Sequence, residues 1–434
     1  MEESIKNINI GDHIVGLDIG TTKISVMIGR KDQYQKLEIL GTGRAVSIGV
    51  SRGIVANIDQ TVNSIKEAVH EAKQKSGIDI KEVYVGIAGQ HIKSLQHRGE
   101  IVRDNIDIEI EKSDIEKLRS NMFKLITIPG EEVIHVIPQE YTVDGEDGIQ
   151  DPKGMAGVKL EANFHVITAQ VGAVRNIMRC VEKAGLTTKD LVLEPFASAV
   201  ATLDEDEQRE GVALVDIGGG TTDVAIFLDN IIRHTAVIPF GGNVITKDIK
   251  SGLQILEKQA ELLKIKFGSA MYTEDQENVM VSIPGLRGRE PKEIAVKNLS
   301  EIIGARMKEI IDLVYHEIKV SGYENKLMTG IVLTGGGSQI RNLKQLVAFI
   351  TGKETRIGYP NEHLGSESKD IVVSPMYSTG VGLVLKGFEY IENEKPLKKN
   401  KETEGVGIDE IMQDDNGGII DKLKDWFTEE ENNY

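Results

Sequence analysis

Two short stretches of this chain carry residue types suited to holding a polyphosphate. The first runs from Val15 to Val26 and contains Asp18-Ile19-Gly20-Thr21-Thr22-Lys23. The second runs from Ala213 to Val224 and contains Asp216-Ile217-Gly218-Gly219-Gly220-Thr221-Thr222. Each reads as an apolar run, Asp-Ile-Gly, Thr-Thr and a second apolar run, the pattern of a β-hairpin with a glycine and threonine tip. Glycine lets backbone N–H groups turn inward and approach a phosphate closely, and threonine hydroxyls add hydrogen bonds to its oxygens. Asp18 and Asp216 close the first strand of each hairpin, where a carboxylate can hold Mg²⁺ directly or through water. One such hairpin is an ordinary tight turn. Two facing copies, about two hundred residues apart, would grip a polyphosphate from both sides.

A third stretch, Gly330 to Ile340, reads as a buried strand, the glycine turn Gly335-Gly336-Gly337 and a helix starting near Ser338 or Gln339. Such a turn lets a nucleoside lie against the backbone, beside a helix N-terminus that favours anions. Two segments rich in small residues could cross closely and act as hinges: Leu193 to Ala199 and Pro375 to Leu383. Glu194, at the start of the first, either orients a water on Mg²⁺ or is a simple N-terminal helix carboxylate. Rival nucleotide motifs are missing: there is no GxxxxGK[ST] loop and no GxGxxG after a strand.

The elements that would position these residues alternate between strand-like and helix-like runs from about His13 to Tyr390, which means an α/β fold. Val83 to Ala88 reads as a buried strand and Val62 to Lys75 as an amphipathic helix; the charged run Leu203 to Glu210 reads as a solvated loop. At 434 residues the chain is too long for one core. Its net charge of −17 argues against a general nucleic-acid binder. The one cysteine, Cys180, sits at helical spacing among apolar residues and reads as a core thiol. Met1 to Asn7 lack the basic-then-apolar pattern of a secretory leader, and no apolar run approaches the roughly 20 residues that span a bilayer. Membrane contact is therefore expected only at the periphery.

Ile391 to Asn416 is rich in Glu, Lys, Asp and Asn and reads as a flexible linker. In the segment 417–428 beyond it, Ile419, Ile420, Leu423, Trp426 and Phe427 fall on one helical face, and Asp421, Lys422, Lys424 and Asp425 on the other. Such a helix docks either on the chain's own core or on a membrane surface; the long tether and the Trp-Phe pair point to the membrane. Its charges balance, so apolar insertion outweighs attraction to anionic lipid.

The three glycine motifs resemble the phosphate 1, phosphate 2 and adenosine motifs of the superfamily containing actin, MreB, DnaK-type chaperones and sugar kinases. More closely, the chain resembles the FtsA family of bacterial cell-division actin homologues. Gly20-Thr21-Thr22-Lys23, the run Pro239 to Ile249 with Gly242 and Asn243, and the AExxKxxxGxA-like run Ala260 to Ala270 carry that likeness. It implies a duplicated actin-like (RNase H-like) ATPase fold with an FtsA-type 1C subdomain, and ATP with Mg²⁺ as ligands. Gly218 to Thr222, Gly335, Gly336, Gly337 and Ser338 would then line the nucleotide, Glu261 and Lys264 would contact ribose and adenine, and Glu194 and Asp216 would serve catalysis. Subdomain 1A would hold residues 13–83, 167–210 and 376–390; 1C, 84–166; 2A, 211–243 and 313–375; and 2B, 244–312.

The resemblance further implies filaments on the cytoplasmic face of the inner membrane at the division septum, contacts with other division proteins, and slow or disputed ATP turnover. It places Arg306 where the C-terminal tail of FtsZ, the tubulin-like ring protein, would bind; alone, Arg306 reads equally as a solvated arginine. The competing expectation is a cytoplasmic actin-fold ATPase or kinase, PilM-like or sugar-kinase-like, without a membrane anchor.

Overall fold

Strands β1 (Ile14–Ile19) and β2 (Lys23–Lys31) pair antiparallel, with Asp18 opposite Ser25. All six residues of β1 are buried, as befits a strand with neighbours on both sides. This computed structural model describes residues 13–104, 108–125, 127–285, 290–361, 363–365, 368 and 372–398. Strand β3 (Leu37–Val46) extends the meander, and a tight hairpin of β4 (Val50–Ser51) and β5 (Ile54–Val55) follows. Helix α1 (Ile58–Ser76) starts where the Asn57 side chain accepts the Gln60 N–H and stops at Gly77, whose φ of 72° suits glycine. Strand β6 (Glu82–Ile87) then enters parallel to β1.

An insert follows: β7 (Ile92–Val102), α2 (Lys112–Met122), β8 (Glu131–Val143), β9 (Glu146–Ile149) and β10 (Lys159–Gln170), with sheet order β7-β10-β8-β9. Leu118 and Met122 of α2 close its core against Phe164 and Val166. The chain returns to the first lobe through α3 (Val171–Lys183), β11 (Thr187–Leu193) and α4 (Glu194–Thr202), giving the sheet β11-β6-β1-β2-β3. The insert's boundaries differ from those expected. Tyr84 to Ile87 belong to the first lobe's sheet, and β10 carries the insert on to Gln170.

The charged run after Leu203 is a short helix, α5 (Glu205–Glu210), and not a loop. Asp204 accepts the Glu207 N–H while Glu207 reaches back to the Asp204 N–H, so reciprocal capping offsets the like-charge repulsion along the turn.

The second lobe repeats the first. Strands β12 (Val212–Ile217), β13 (Thr222–Leu228) and β14 (Ile231–Ile238) form the meander. Helices α6 (Gly242–Leu253) and α7 (Glu257–Phe267), strands β15 (Met280–Ile283) and β16 (Lys292–Ala295), and the long α8 (Val296–Val320) build a subdomain on top of it. Helix α8 crosses the expected boundary at 312 without a break, because Ile303, Met307, Ile310, Ile311, Val314 and Ile318 bury one continuous face. Strand β17 (Ile331–Thr334), helix α9 (Leu343–Thr351) and strand β18 (Thr355–Ile357) complete the sheet β14-β13-β12-β17-β18. Each lobe thus has an antiparallel meander of three strands whose first strand pairs with a parallel strand, which in turn pairs with a second parallel strand at the sheet edge.

Helix α10 (Ser378–Lys398) closes back on the first lobe. It runs past Ile391, where a flexible linker was expected, and Lys31 pairs with Glu392 on its flank. The segment 417–428 and its five apolar residues lie outside the described residues.

The face of the insert's sheet turned from α2 sits on both lobes. Ser94 and Gln96 donate to the Thr235 and Arg233 carbonyls at 2.9 and 3.0 Å, and Gln139 to the Ile232 carbonyl at 2.8 Å. On the first lobe, the His135 ring meets Phe196 edge-on at 6.3 Å.

Candidate functional site

The two hairpin tips meet face to face. A Cβ added to Gly219 would lie 2.3 Å from Thr22 Cγ2, and one on Gly220 would lie 2.4 Å from Thr21 Oγ1. Only glycine allows that approach. The paired registers place Asp18 and Asp216 at matching points, each two residues before its tip. Thr21 and Thr22 therefore correspond in space to Gly219 and Gly220, although the sequence repeat aligns them with Thr221 and Thr222. The backbone amides of Thr21, Thr22, Gly219 and Gly220 donate to no acceptor among the described residues. Such a set of amides is a nest for an anion. Thr222 departs from its expected role: it is fully buried and its hydroxyl donates to the Phe240 carbonyl at 2.9 Å, tying the strand in place. Thr221 donates to Asp223 at 3.2 Å.

Gly241, Gly242 and Asn243 brace the second tip from behind. The Gly242 and Asn243 N–H groups donate to the Gly218 and Gly219 carbonyls at 2.9 and 2.8 Å. That turns the carbonyls away from the cleft and leaves the amides facing it. Lys264 Nζ holds the Gly242 carbonyl at 3.0 Å and Thr246 Oγ1 at 2.8 Å, and pairs with Glu261 at 2.8 Å. Glu261 and Lys264 thus form a buttress behind this turn.

The third glycine motif lies beside the second. Gly335, at φ 82°, presents its backbone to Asp216, where a Cβ would stand 2.2 Å from Oδ1. Residues Gly336–Gln339 form one 3₁₀ turn, and the α-helix expected near Ser338 begins only at Leu343, because Asn342 takes a left-handed φ of 57°. The Ser338 hydroxyl caps the turn on the Gly335 carbonyl at 2.8 Å. Asn342 donates to Ser269 at 3.0 Å, joining this turn to the end of α7.

Four carboxylates converge under the tips. Asp18 accepts from Lys23 at 2.9 Å and from Ser25 at 3.1 Å. Asp216 accepts from Ser198 of α4 at 2.8 Å, and Thr379 of α10 stands at 3.5 Å. Glu194 packs on Gly86, whose added Cβ would lie 3.1 Å from Glu194 Cγ. Its pKa is driven well up by burial first, then by Asp18, Asp223 and Asp216. Burial also raises Asp216. The fourth carboxylate, Asp223, escapes a reading of the repeat. It faces Asp216 across the hairpin, is pushed up to about 7 by burial and by Asp216, and its Oδ1 finds no partner among the described residues. The signal was present as an Asp one residue past Thr222, opposite a strand-end Asp.

This donor set is all hard oxygen and suits Mg²⁺, with Asp18 and Asp216 offered from opposite lobes. Among the described residues no three metal-ligating side chains form a protein-only cage.

The two small-residue segments cross closely, as their composition allows. Helices α4 and α10 cross so closely that a Cβ on Gly382 would stand 1.8 Å from the Ala197 carbonyl oxygen. Ser198 and Thr379 touch at 3.1 Å, and Thr334 and Ser378 at 2.7 Å. The crossing therefore ties both lobes at the floor of the cleft. Arg306 lies far along α8 and is already engaged: it grips Asp248 with Nε and Nη2 at 2.5 and 3.2 Å and also pairs with Glu309. Cys180 is fully buried in the first lobe's core, and burial pushes its thiol up to about 11, so it is an inert packing group.

Duplicated sheets, facing Asp-Gly tips and crossed helices at the floor of the cleft define an actin-like ATPase fold. The structure from the PilM–PilN type IV pilus biogenesis complex shares it, with a TM-score of 0.63 at 18% identity over 86% of this chain and 98% of that one. The sequence goes further. The family described as cell division protein FtsA matches residues 213–382, and the SHS2 domain inserted in FtsA matches residues 89–168. The chain is 38% identical to cell division protein FtsA of Pseudomonas aeruginosa over 97% of its own length and 98% of the relative's. It is 32% identical to the Escherichia coli K12 protein over 96% and 98%, and 34% identical to the Bacillus subtilis protein over 87% and 83%. The chain belongs to the FtsA family of cell-division proteins.

Proposed function

We propose that this protein binds Mg·ATP between its two lobes, assembles into filaments on the cytoplasmic face of the cell membrane at the septum, and tethers the FtsZ ring there. The observation that carries the nucleotide part is the pair of opposed tips: unpartnered amides from both lobes beside Asp18 and Asp216. A triphosphate between Gly20, Thr21 and Thr22 on one side and Gly218, Gly219 and Gly220 on the other satisfies those amides. The nucleoside then lies against Gly335, Gly336 and Gly337, near the turn braced by Glu261 and Lys264.

Asp18 and Asp216 hold the cation, which supplies positive charge against the phosphate oxygens. Lys23, paired with Asp18 at 2.9 Å, would orient that carboxylate toward the cation. Glu194 is the candidate for orienting a water. Its pKa is raised by burial first and then by three neighbouring carboxylates, so neutralising that local charge would favour its ionised form.

The anchor is the segment 417–428, with Ile419, Ile420, Leu423, Trp426 and Phe427 as its inserted face. Burying five such side chains only partly gives weak, reversible docking, and a filament multiplies it. Arg306 serves the FtsZ tail only by exchanging Asp248 for an acidic group of the peptide, so that contact is an ion-pair swap.

Titration of Mg·ATP into the full chain tests the nucleotide reading. The wild type binds one equivalent, and Asp216→Asn weakens binding about tenfold or more. Equal affinity in the variant would place the nucleotide elsewhere.

A further inference from the structure

The β4–β5 hairpin turns through two residues, Arg52 at φ 50° and Gly53 at φ 75°, with Ser51 paired to Ile54 across it. Positive φ at both central positions makes a type I′ turn. Its first position favours Asn, Asp or Gly, since a larger side chain is strained there. This chain follows that preference at its other two-residue hairpins. Strands β8 and β9 join through Asp144 and Gly145 at φ 47° and 90°, and β13 and β14 through Asp229 and Asn230 at φ 57° and 60°. Arg52 is the departure. It is exposed, and its guanidinium makes no ion pair or hydrogen bond among the described residues, so local folding does not account for it. An outlier of this kind, held by its surroundings, points to a functional demand.

Its place in the fold suggests the demand. Gly53, the next residue, donates its N–H to Thr21 Oγ1 at 3.1 Å, so the turn is fastened directly to the first phosphate tip. On the other side the turn is wedged against the end of β6, where a Cβ on Gly53 would lie 2.5 Å from the Ala88 carbonyl oxygen. Charge in the cleft is one-sided. Asp18, Asp216, Asp223 and Glu194 line it, while Lys23 is paired with Asp18 and Lys264 with Glu261. A bound triphosphate adds more negative charge, and among the described residues Arg52 is the cation beside the tips that makes no ion pair.

We propose that Arg52 is a phosphate-contacting residue whose guanidinium takes the terminal phosphate of a nucleoside triphosphate held between the tips. The planar fork matches two phosphate oxygens at once, which a lysine cannot do. The inference rests on the nucleotide reading above and deepens it: Arg52 makes the site prefer a triphosphate over a diphosphate.

The test is equilibrium binding of Mg·ATP and Mg·ADP to the full chain and to Arg52→Asn and Arg52→Gly. Both replacements suit the type I′ turn, so both variants should resist denaturant at least as well as the wild type without nucleotide. Expected is a loss of about tenfold in Mg·ATP affinity with Mg·ADP affinity held within about twofold. Unchanged Mg·ATP affinity, or parallel loss for both nucleotides, would overturn the assignment. A wild-type chain that bound neither would overturn the nucleotide reading, and this assignment with it.

Discussion

Asp223 shows how one residue stores a pH dependence. It is almost fully buried, faces Asp216 and is raised to about 7, above the ordinary carboxylate range. The folded protein therefore holds this proton more tightly than the unfolded chain does between about pH 4 and 7. Over that window the Asp223 contribution to stability falls as pH rises, and the full penalty stands above pH 7. Asp223→Asn removes it. The variant should gain on the order of 2 kcal/mol at pH 8 in nucleotide-free, Mg²⁺-free buffer, and the gain should shrink as pH falls below 7 and vanish near pH 4, where the folded and unfolded chains both hold the proton. Urea melts at the two pH values decide this; an equal gain at both would mean that Asp223 is not the titrating group. Residue by residue, the site was legible where chemistry and local pattern coincide. Asp18, Asp216 and the tip glycines announce themselves through a repeated motif. Asp223 and Arg52 do not, because their significance comes from a cross-strand register and a backbone φ that composition does not display.

Among the elements, the crossing of α4 with α10 depends on a missing methyl group. Gly382→Ala would drive a Cβ into the Ala197 carbonyl oxygen, 1.8 Å away, and the helices would have to part. The expected cost is about 1–3 kcal/mol, read from the denaturant midpoint. Ala197→Gly should not rescue it, because the clash is with backbone. Gly172 of α3 is the contrast, with nothing within 4 Å of an added Cβ. Gly172→Ala should be neutral or stabilising by up to about 1 kcal/mol. Similar effects at both glycines would remove the close crossing from the account. The hairpins and α1 follow from apolar periodicity, and the sequence located them well. Helix α5 was hidden by its charges, although its Asp-x-x-Glu cap was visible. The late start of α9 was hidden because Asn342 breaks the chain by a single left-handed residue that a glycine-rich context does not reveal.

For the whole molecule, the insert lies across both lobes, and its contacts with β14 include side-chain donors on backbone carbonyls. Strand β14 pairs with β13, which begins at the second phosphate tip. The second glycine tip is thus linked to the insert by one continuous hairpin. The duplication was readable from the paired motifs. The insert's sheet order was not, since β7 pairs with β10 across most of the subdomain. Family membership fixes a cell-division role, and the proposed membrane filament joins that role to the nucleotide cleft and the terminal amphipathic segment. Co-sedimentation with lipid vesicles, with and without Mg·ATP, tests that union most directly, using the full chain and a version ending at Asn416. The account predicts that only the full chain sediments and that Mg·ATP raises its bound fraction cooperatively. Equal sedimentation of the shortened chain, or no sedimentation of either, would contradict it.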